Sequence, residues 1–254
     1  MARVWHPISV SAKPSASCDG AIHLWLVWLT ATELGYKLGW SLLPEPELAL
    51  ADRRTERFAR EFILSRATLR ALAARYTGVP PEAIRYRVGA HGKPWLEWNP
   101  ANIFFNVSHS GGLVFFAFGT GCELGVDVER VRPIDDMEEI AGRYFCQRES
   151  RQLQVLTAEQ RTEAFFRCWT RKEAYIKADG RGLSCALDSF AVTFGNNERA
   201  RVVHIDGDSE AAAAWTLQAP DVAPGYVSAS AYRDAPRPLV FGPPQTAEAL
   251  LCAI

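Results

Sequence analysis

Apolar positions fall along this chain in blocks whose spacing changes, and each spacing predicts an element. Residues 21–29 form an apolar run interrupted only by His23, the pattern of a buried strand. Its nine residues fall well short of the roughly 20 that a membrane-spanning helix needs. It also starts late and carries bulky tryptophans, unlike a signal peptide. Pro44-Glu45-Pro46-Glu47 then punctuates the chain. Across residues 51–76, Phe58, Phe62, Leu69, Leu72 and Tyr76 recur at helical spacing and predict a long helix with one apolar stripe, stopped by Gly78 and Pro80-Pro81. Residues 103–107 and 113–118 predict a hairpin, with Ser108-His109-Ser110-Gly111-Gly112 as its loop.

In the next block Leu124, Val126 and Val128 alternate with Gly125, Asp127 and Glu129, the signature of a strand with one buried face, ended by Pro133. Helical patterns cover 138–156 and 159–178, the second closed by Gly180. Strand patterns follow at 189–194, 214–217 and 226–232, and Pro236, Pro238, Pro243 and Pro244 predict a coil-like tail. Strand and helix material on both sides of about residue 120 predicts an α+β protein of two halves. The expected division is an N-terminal subdomain over 1–120, a C-terminal subdomain over 121–235 that holds the acidic strand, and a tail over 236–254.

Composition narrows the class. The chain has 254 residues, 48% hydrophobic and 22% charged, as a packed globular protein should. A formal net charge of -1 supplies no global field towards nucleic acid or an anionic membrane, so any basic site must be local. One local excess exists. Residues 51–75 carry seven arginines (Arg53, Arg54, Arg57, Arg60, Arg66, Arg70 and Arg75) against three acids. Such a cluster either solubilises an outer face or binds an anion, a small polyphosphate or acidic protein rather than nucleic acid, since no aromatic RNA-binding motif accompanies it. Six scattered cysteines without a CxxC pair read as reduced thiols, which predicts a cytoplasmic protein.

Three further groups carry candidate chemistry. Asp127 and Glu129 project from one strand face about 6.5 Å apart at the backbone. They are either ordinary solvated acids or a site neutralised by a hard cation such as Mg²⁺. On the helix over 163–178, Phe165, Trp169 and Ile176 form a core-facing stripe, and Phe166, Thr170, Glu173 and Lys177 occupy the adjoining sector. Glu173 and Lys177 are then either a surface pair contributing about 0.3–0.5 kcal/mol or a carboxylate and an ammonium at a core's rim. Arg167 and Arg171 fall on the far side, where solvent is expected. His109, among loop hydroxyls and amides, is either incidental or a ligand for a phosphate oxygen. There is no GxSxG, P-loop or GxGxxG, and no histidine pair has metal-ligand spacing.

Four strings in order sharpen this. Gly92-Lys93-Pro94, Phe105-Asn106-Val107-Ser108-His109-Ser110-Gly111, Gly125-Val126-Asp127-Val128-Glu129 and the stretch from Phe166 through Trp169, Lys172 and Glu173 to Lys177 resemble the signature motifs of Sfp-type 4′-phosphopantetheinyl transferases. Gly182-Leu183 and Leu187-Asp188-Ser189-Phe190 extend the resemblance, which spans about residues 53–194 with an echo at Gly225-Tyr226-Val227.

The resemblance implies two similar α/β subdomains related by a pseudo-twofold axis, with coenzyme A in the cleft between them. It implies transfer of 4′-phosphopantetheine from coenzyme A to a serine of an apo acyl or peptidyl carrier protein, in fatty-acid or secondary-metabolite synthesis, releasing adenosine 3′,5′-bisphosphate. Asp127, Glu129 and Glu173 would hold magnesium. Arg54, Arg66, Lys93, Ser108, His109 and Asp127 would meet the coenzyme, with Lys177 beside the pyrophosphate. Glu149 matches a family glutamate near the metal, so Glu173 or Glu149 would take the serine proton. A monomer without nucleic-acid or membrane partners is expected. The rival classes are a non-catalytic coenzyme A or carrier-binding module and a magnesium-dependent phosphohydrolase. The first would tolerate loss of a carboxylate or of Lys177, yet all are present.

Overall fold

Two sheets lie face to face, each covered on its outer side by a helix of 22 residues. The computed structural model describes Cys18 and residues 20–254, so the start of the predicted first subdomain lies outside the described residues. The first part of the chain supplies β1 (Ile22–Trp28), α1 (Glu33–Ser41), α2 (Glu45–Ala51), α3 (Glu56–Thr77), β2 (Tyr86–Val88), β3 (Pro94–Leu96), β4 (Ile103–Ser110) and β5 (Leu113–Thr120). There follow β6 (Leu124–Arg130), α4 (Met137–Tyr144), α5 (Gln147–Gln154), α6 (Ala158–Asp179), β7 (Phe190–Val192), β8 (Val202–Ile205), α7 (Ser209–Ala213), β9 (Thr216–Gln218) and β10 (Tyr226–Tyr232). The chain ends in β11 (Leu239–Phe241), β12 (Gln245–Thr246) and α8 (Ala247–Leu251).

The first sheet runs β11-β1-β5-β4, with β12 also on β1, and the second runs β6-β10-β9. Three cores follow from this layering. Trp25, Val27, Phe116 and Phe118 pack under α3, with Leu69 and Leu72 facing them. Leu24, Phe115, Leu124, Val126 and Val128 fill the space between the sheets. Phe165, Phe166, Tyr175 and Ile176 of α6 pack over Ala229 and Ala231 of β10. Each fully buried large apolar side chain contributes about 1.5–3 kcal/mol.

Several expectations change here. The strand over 124–130 is buried on both faces as far as Val128, because its valines meet the first sheet while Gly125 and Asp127 lie under α6. Helix α3 begins at Glu56, after a separate α2 whose prolines sit at its first turn, where a missing N–H costs nothing. Phe58, placed on the apolar stripe by its spacing, is 60% exposed. The helical pattern over 138–156 is two helices, broken at Phe145-Cys146, where the Glu149 side chain accepts from the Cys146 N–H and starts α5 afresh. The hairpin loop shrinks to Gly111-Gly112, whose φ values of 57° and 82° suit the tight primed turn. Ser108, His109 and Ser110 therefore belong to β4.

The tail is not coil. Strand β11 pairs in parallel with β1, Ile22 opposite Leu239, and Leu250 and Leu251 of α8 enter the core beneath α3. The last segment thus completes the first half. Among the described residues no helix is long and apolar enough to cross a membrane.

Candidate active site

Strand β4 is the edge of the first sheet and β6 the edge of the second. An exposed edge leaves backbone donors unpaired, and here side chains of one edge satisfy the other. Asn106 Oδ1 accepts from Val126 N (3.0 Å), and Ser110 Oγ accepts from Arg130 N (3.1 Å). Between them Ser108 Oγ donates to Asp127 Oδ1 (2.6 Å), and Ser110 Oγ donates to Glu129 Oε2 (2.6 Å). The strand's period of two puts Asn106, Ser108 and Ser110 on one face. Val107 and His109 take the opposite face.

Helix α6 brings the remaining groups. It lies so close to β6 that a Cβ on Gly125 would stand 2.2 Å from Ala174 O. From this packing Lys177 Nζ donates to Asp127 Oδ1 (2.7 Å) and to Ser108 Oγ (3.0 Å). Asp127 is buried, and its second oxygen, Oδ2, is buried without a hydrogen-bond partner. Glu173 is half-buried one turn earlier. Burial raises its pKa, and the charges of Asp127 and Glu129 push it further up against the opposing pull of Lys177. Three carboxylates, one lysine and two serines thus share one junction. Among the described residues no three acidic, histidine or cysteine side chains converge tightly enough to ligate a metal as they stand, with Glu129 drawn towards Ser110 and Arg132.

The other face of β4 walls a cavity of about 550 Å³. Arg54, Arg66 and His109 line it together with Phe58, Phe62 and Pro94. Arg54 and Arg66 both lie over the Phe62 ring, at 4.2 and 5.4 Å. All lining residues come from the first half, so the cavity opens beside β4 rather than midway between the halves.

Residues 123–229 match the family model described as the 4′-phosphopantetheinyl transferase superfamily. The 4′-phosphopantetheinyl transferase HetI of a Nostoc species is 34% identical over 199 residues, 77% of this chain and 81% of that protein. The chain belongs to the 4′-phosphopantetheinyl transferase family. The family's Sfp from Bacillus subtilis is 31% identical over 72% of this chain and 79% of its own. Among solved structures, the holo-[acyl-carrier-protein] synthase of Thermotoga maritima aligns with 44% of this chain and 62% of its own at 20% identity, with a TM-score of 0.33.

Within this transferase fold two expected site residues stand elsewhere. The Lys93 ammonium bonds to Leu124 O (3.1 Å) and Ala178 O (3.4 Å) and pairs with Glu123 (2.5 Å). It ties the start of β6 to the end of α6, and Pro94 lines the cavity in its place. Glu149 is 1% exposed and lies in the core with both oxygens bonded, away from the carboxylate junction. Arg171, expected in solvent, is 5% exposed and donates to Thr193 O, while Arg167 donates to Phe194 O (3.0 Å). Ser110 is a further member of the junction, and the alternation of Asn106, Ser108 and Ser110 along β4 is the sequence signal that marks it.

Proposed function

We propose that the protein transfers 4′-phosphopantetheine from coenzyme A to a serine hydroxyl of an apo carrier protein. The observation that carries this is the two-faced strand β4, with Arg54, Arg66 and His109 on one side and Ser108, Asp127, Glu129, Glu173 and Lys177 on the other. A coenzyme whose 3′-phosphate lies among the arginines has its pyrophosphate carried past β4 towards the carboxylates. Arginine suits the first task because its planar fork makes paired hydrogen bonds to phosphate.

In the reaction the serine oxygen forms a bond to the phosphorus bearing pantetheine, and the bond from that phosphorus to the bridging oxygen breaks. Adenosine 3′,5′-bisphosphate leaves, and the serine proton must go to a base. Lys177 would offset charge on the pyrophosphate. Glu173, one helical turn from Lys177 and beside Asp127, is the acceptor this geometry favours. Glu149, with both oxygens already bonded in the core, is the less favoured acceptor.

The buried, unpartnered Oδ2 of Asp127 and the crowding of Glu173 by two acids fit a bound cation. Asp127, Glu129 and Glu173 would hold Mg²⁺, whose charge neutralises pyrophosphate oxygens when bound. Six unbridged cysteines accord with action in the reducing cytoplasm, and the two halves in one chain with a monomer. The test is the mass of an apo carrier protein after incubation with the protein, coenzyme A and Mg²⁺. One added phosphopantetheine per carrier is expected. Loss of coenzyme A without any carrier would instead indicate a phosphohydrolase, and no reaction with or without carrier a binding module.

A further inference from the structure

Glu149 and Lys172 form an ion pair in the core of the second half, 2.7 Å apart and 1% and 0% exposed. Neither belongs to the carboxylate junction, and both are saturated. Lys172 Nζ spends its three protons on Glu149 Oε2, Leu187 O (2.7 Å) and Phe190 O (2.7 Å), and stands 4.2 Å from the centre of the Phe190 ring. Glu149 Oε2 also accepts from Cys146 N (3.0 Å), and Oε1 accepts from Val192 N (2.8 Å). The pair therefore pins three segments at one point: the start of α5, the middle of α6, and the stretch from Leu187 to β7.

Lys172 immediately precedes Glu173, a step of about 100° around the helix. Fixing the Lys172 ammonium fixes the rotation of α6 about its own axis and its position along that axis. On the opposite side α6 rests on Gly125, where the backbones approach too closely for any side chain. The gap at Gly125 sets the helix's distance from β6. The ion pair sets which side chains face the strand.

We propose that the Glu149–Lys172 pair is a positioning device that holds Glu173 and Lys177 in register with Asp127, Glu149 acting through α6 and not as a proton acceptor. This rests on the reading of Glu173 and Lys177 as reaction groups. A buried pair contributes little net stability compared with apolar residues of the same volume, whereas removing one partner strands a buried charge. A single substitution therefore confuses folding with positioning, and the decisive variant replaces both partners.

The experiment compares wild type, the double variant Glu149→Leu/Lys172→Met, Glu173→Ala and the triple combination. Each is assayed for transfer from coenzyme A to an apo acyl carrier protein, and for melting temperature. The double variant is expected to fold with a melting temperature at or above wild type, and with kcat lowered about ten- to a hundredfold by small misplacement. Its KM for coenzyme A should change less than kcat, because the arginine cavity is built from the first half alone. In the Glu173→Ala background the double substitution should cost less than in wild type, since only the Lys177 contribution remains, and the pH dependence of kcat in the double variant should keep its acid limb. Wild-type kcat in a folded double variant would overturn the inference. So would failure of the double variant to fold, which would make the pair a folding element alone. Loss of the acid limb would assign Glu149 to proton transfer instead. Full activity in Glu173→Ala alone would show that the reading of the site itself is at fault.

Discussion

Lys177, at the end of a helix in the second half, donates at once to Asp127 of β6 and to Ser108 of β4, at 2.7 and 3.0 Å. One ammonium thus binds both edge strands, and does so beside the carboxylate oxygen that has no partner. That position ties α6 to both edge strands, and the proposed transfer would use the same charge on the pyrophosphate. Lys177→Met keeps the stem and removes the charge. Transfer should fall by about 10²–10³-fold, the usual loss for a preorganised charge in a reaction centre, with the circular-dichroism spectrum unchanged. A turnover equal to wild type would remove Lys177 from the chemistry.

Glu173 should be a site where activity opposes stability. Burial, then Asp127 and Glu129, raise its pKa in the folded protein. A carboxyl that holds its proton more tightly when folded favours the folded state at low pH. That contribution is lost as pH rises through the raised folded value, and the ionised form then disfavours folding. Without divalent cations, Glu173→Gln should therefore melt higher than wild type at neutral pH, with the difference shrinking as pH falls towards the ordinary carboxyl range. Carrier modification by the variant should be nearly abolished. A variant that melts lower than wild type at neutral pH would contradict the crowding of these charges.

Arg66 tests the cavity. Arg66→Ala should raise the coenzyme A concentration for half-maximal rate about ten- to a hundredfold, the loss expected for one charged hydrogen bond. Dephospho-coenzyme A, which lacks the 3′-phosphate, should suffer far less. Equal penalties for the two coenzymes would move Arg66 away from the 3′-phosphate, and a penalty seen only at low carrier concentration would assign it to the protein partner.

Gly125 is required for its lack of a side chain. Its added Cβ would meet Ala174 O at 2.2 Å and Ala178 N at 2.3 Å, both rigid helix backbone. Gly125→Ala should destabilise the protein by about 3 kcal/mol or more, at the upper end of overpacking effects. Thermal melting that matched wild type would mean α6 can retreat from β6 at no cost.

The last segment should be indispensable. Truncation after residue 235 removes β11, which pairs with β1, and α8, whose Leu250 and Leu251 fill the core under α3. The shortened chain should be insoluble or lose cooperative melting. A soluble, active product would refute this.

The two long helices, the central hairpin and the acidic strand were legible in the sequence, because each rests on local spacing: period two in Leu124, Val126 and Val128, and helical recurrence of Phe165, Trp169 and Ile176. The identity of Asp127, Glu129, Glu173 and Lys177 as a set came from motif order. What local spacing does not carry is which faces meet. Strand β6 shows an alternating pattern but is buried on both sides, because the first sheet covers one face and α6 the other. The proline-marked tail returns to β1, and its short strands gain their hydrogen bonds only from that distant partner. Arg171 and Glu149 read as surface or site residues because charge favours water, yet both are buried where partners from segments far along the chain satisfy them. Local spacing determined most of the elements, and motif order named the residues that carry the chemistry. Only the docking of the two edge strands and α6 decided which carboxylates share a junction, since desolvation and hydrogen bonding depend on neighbours in space.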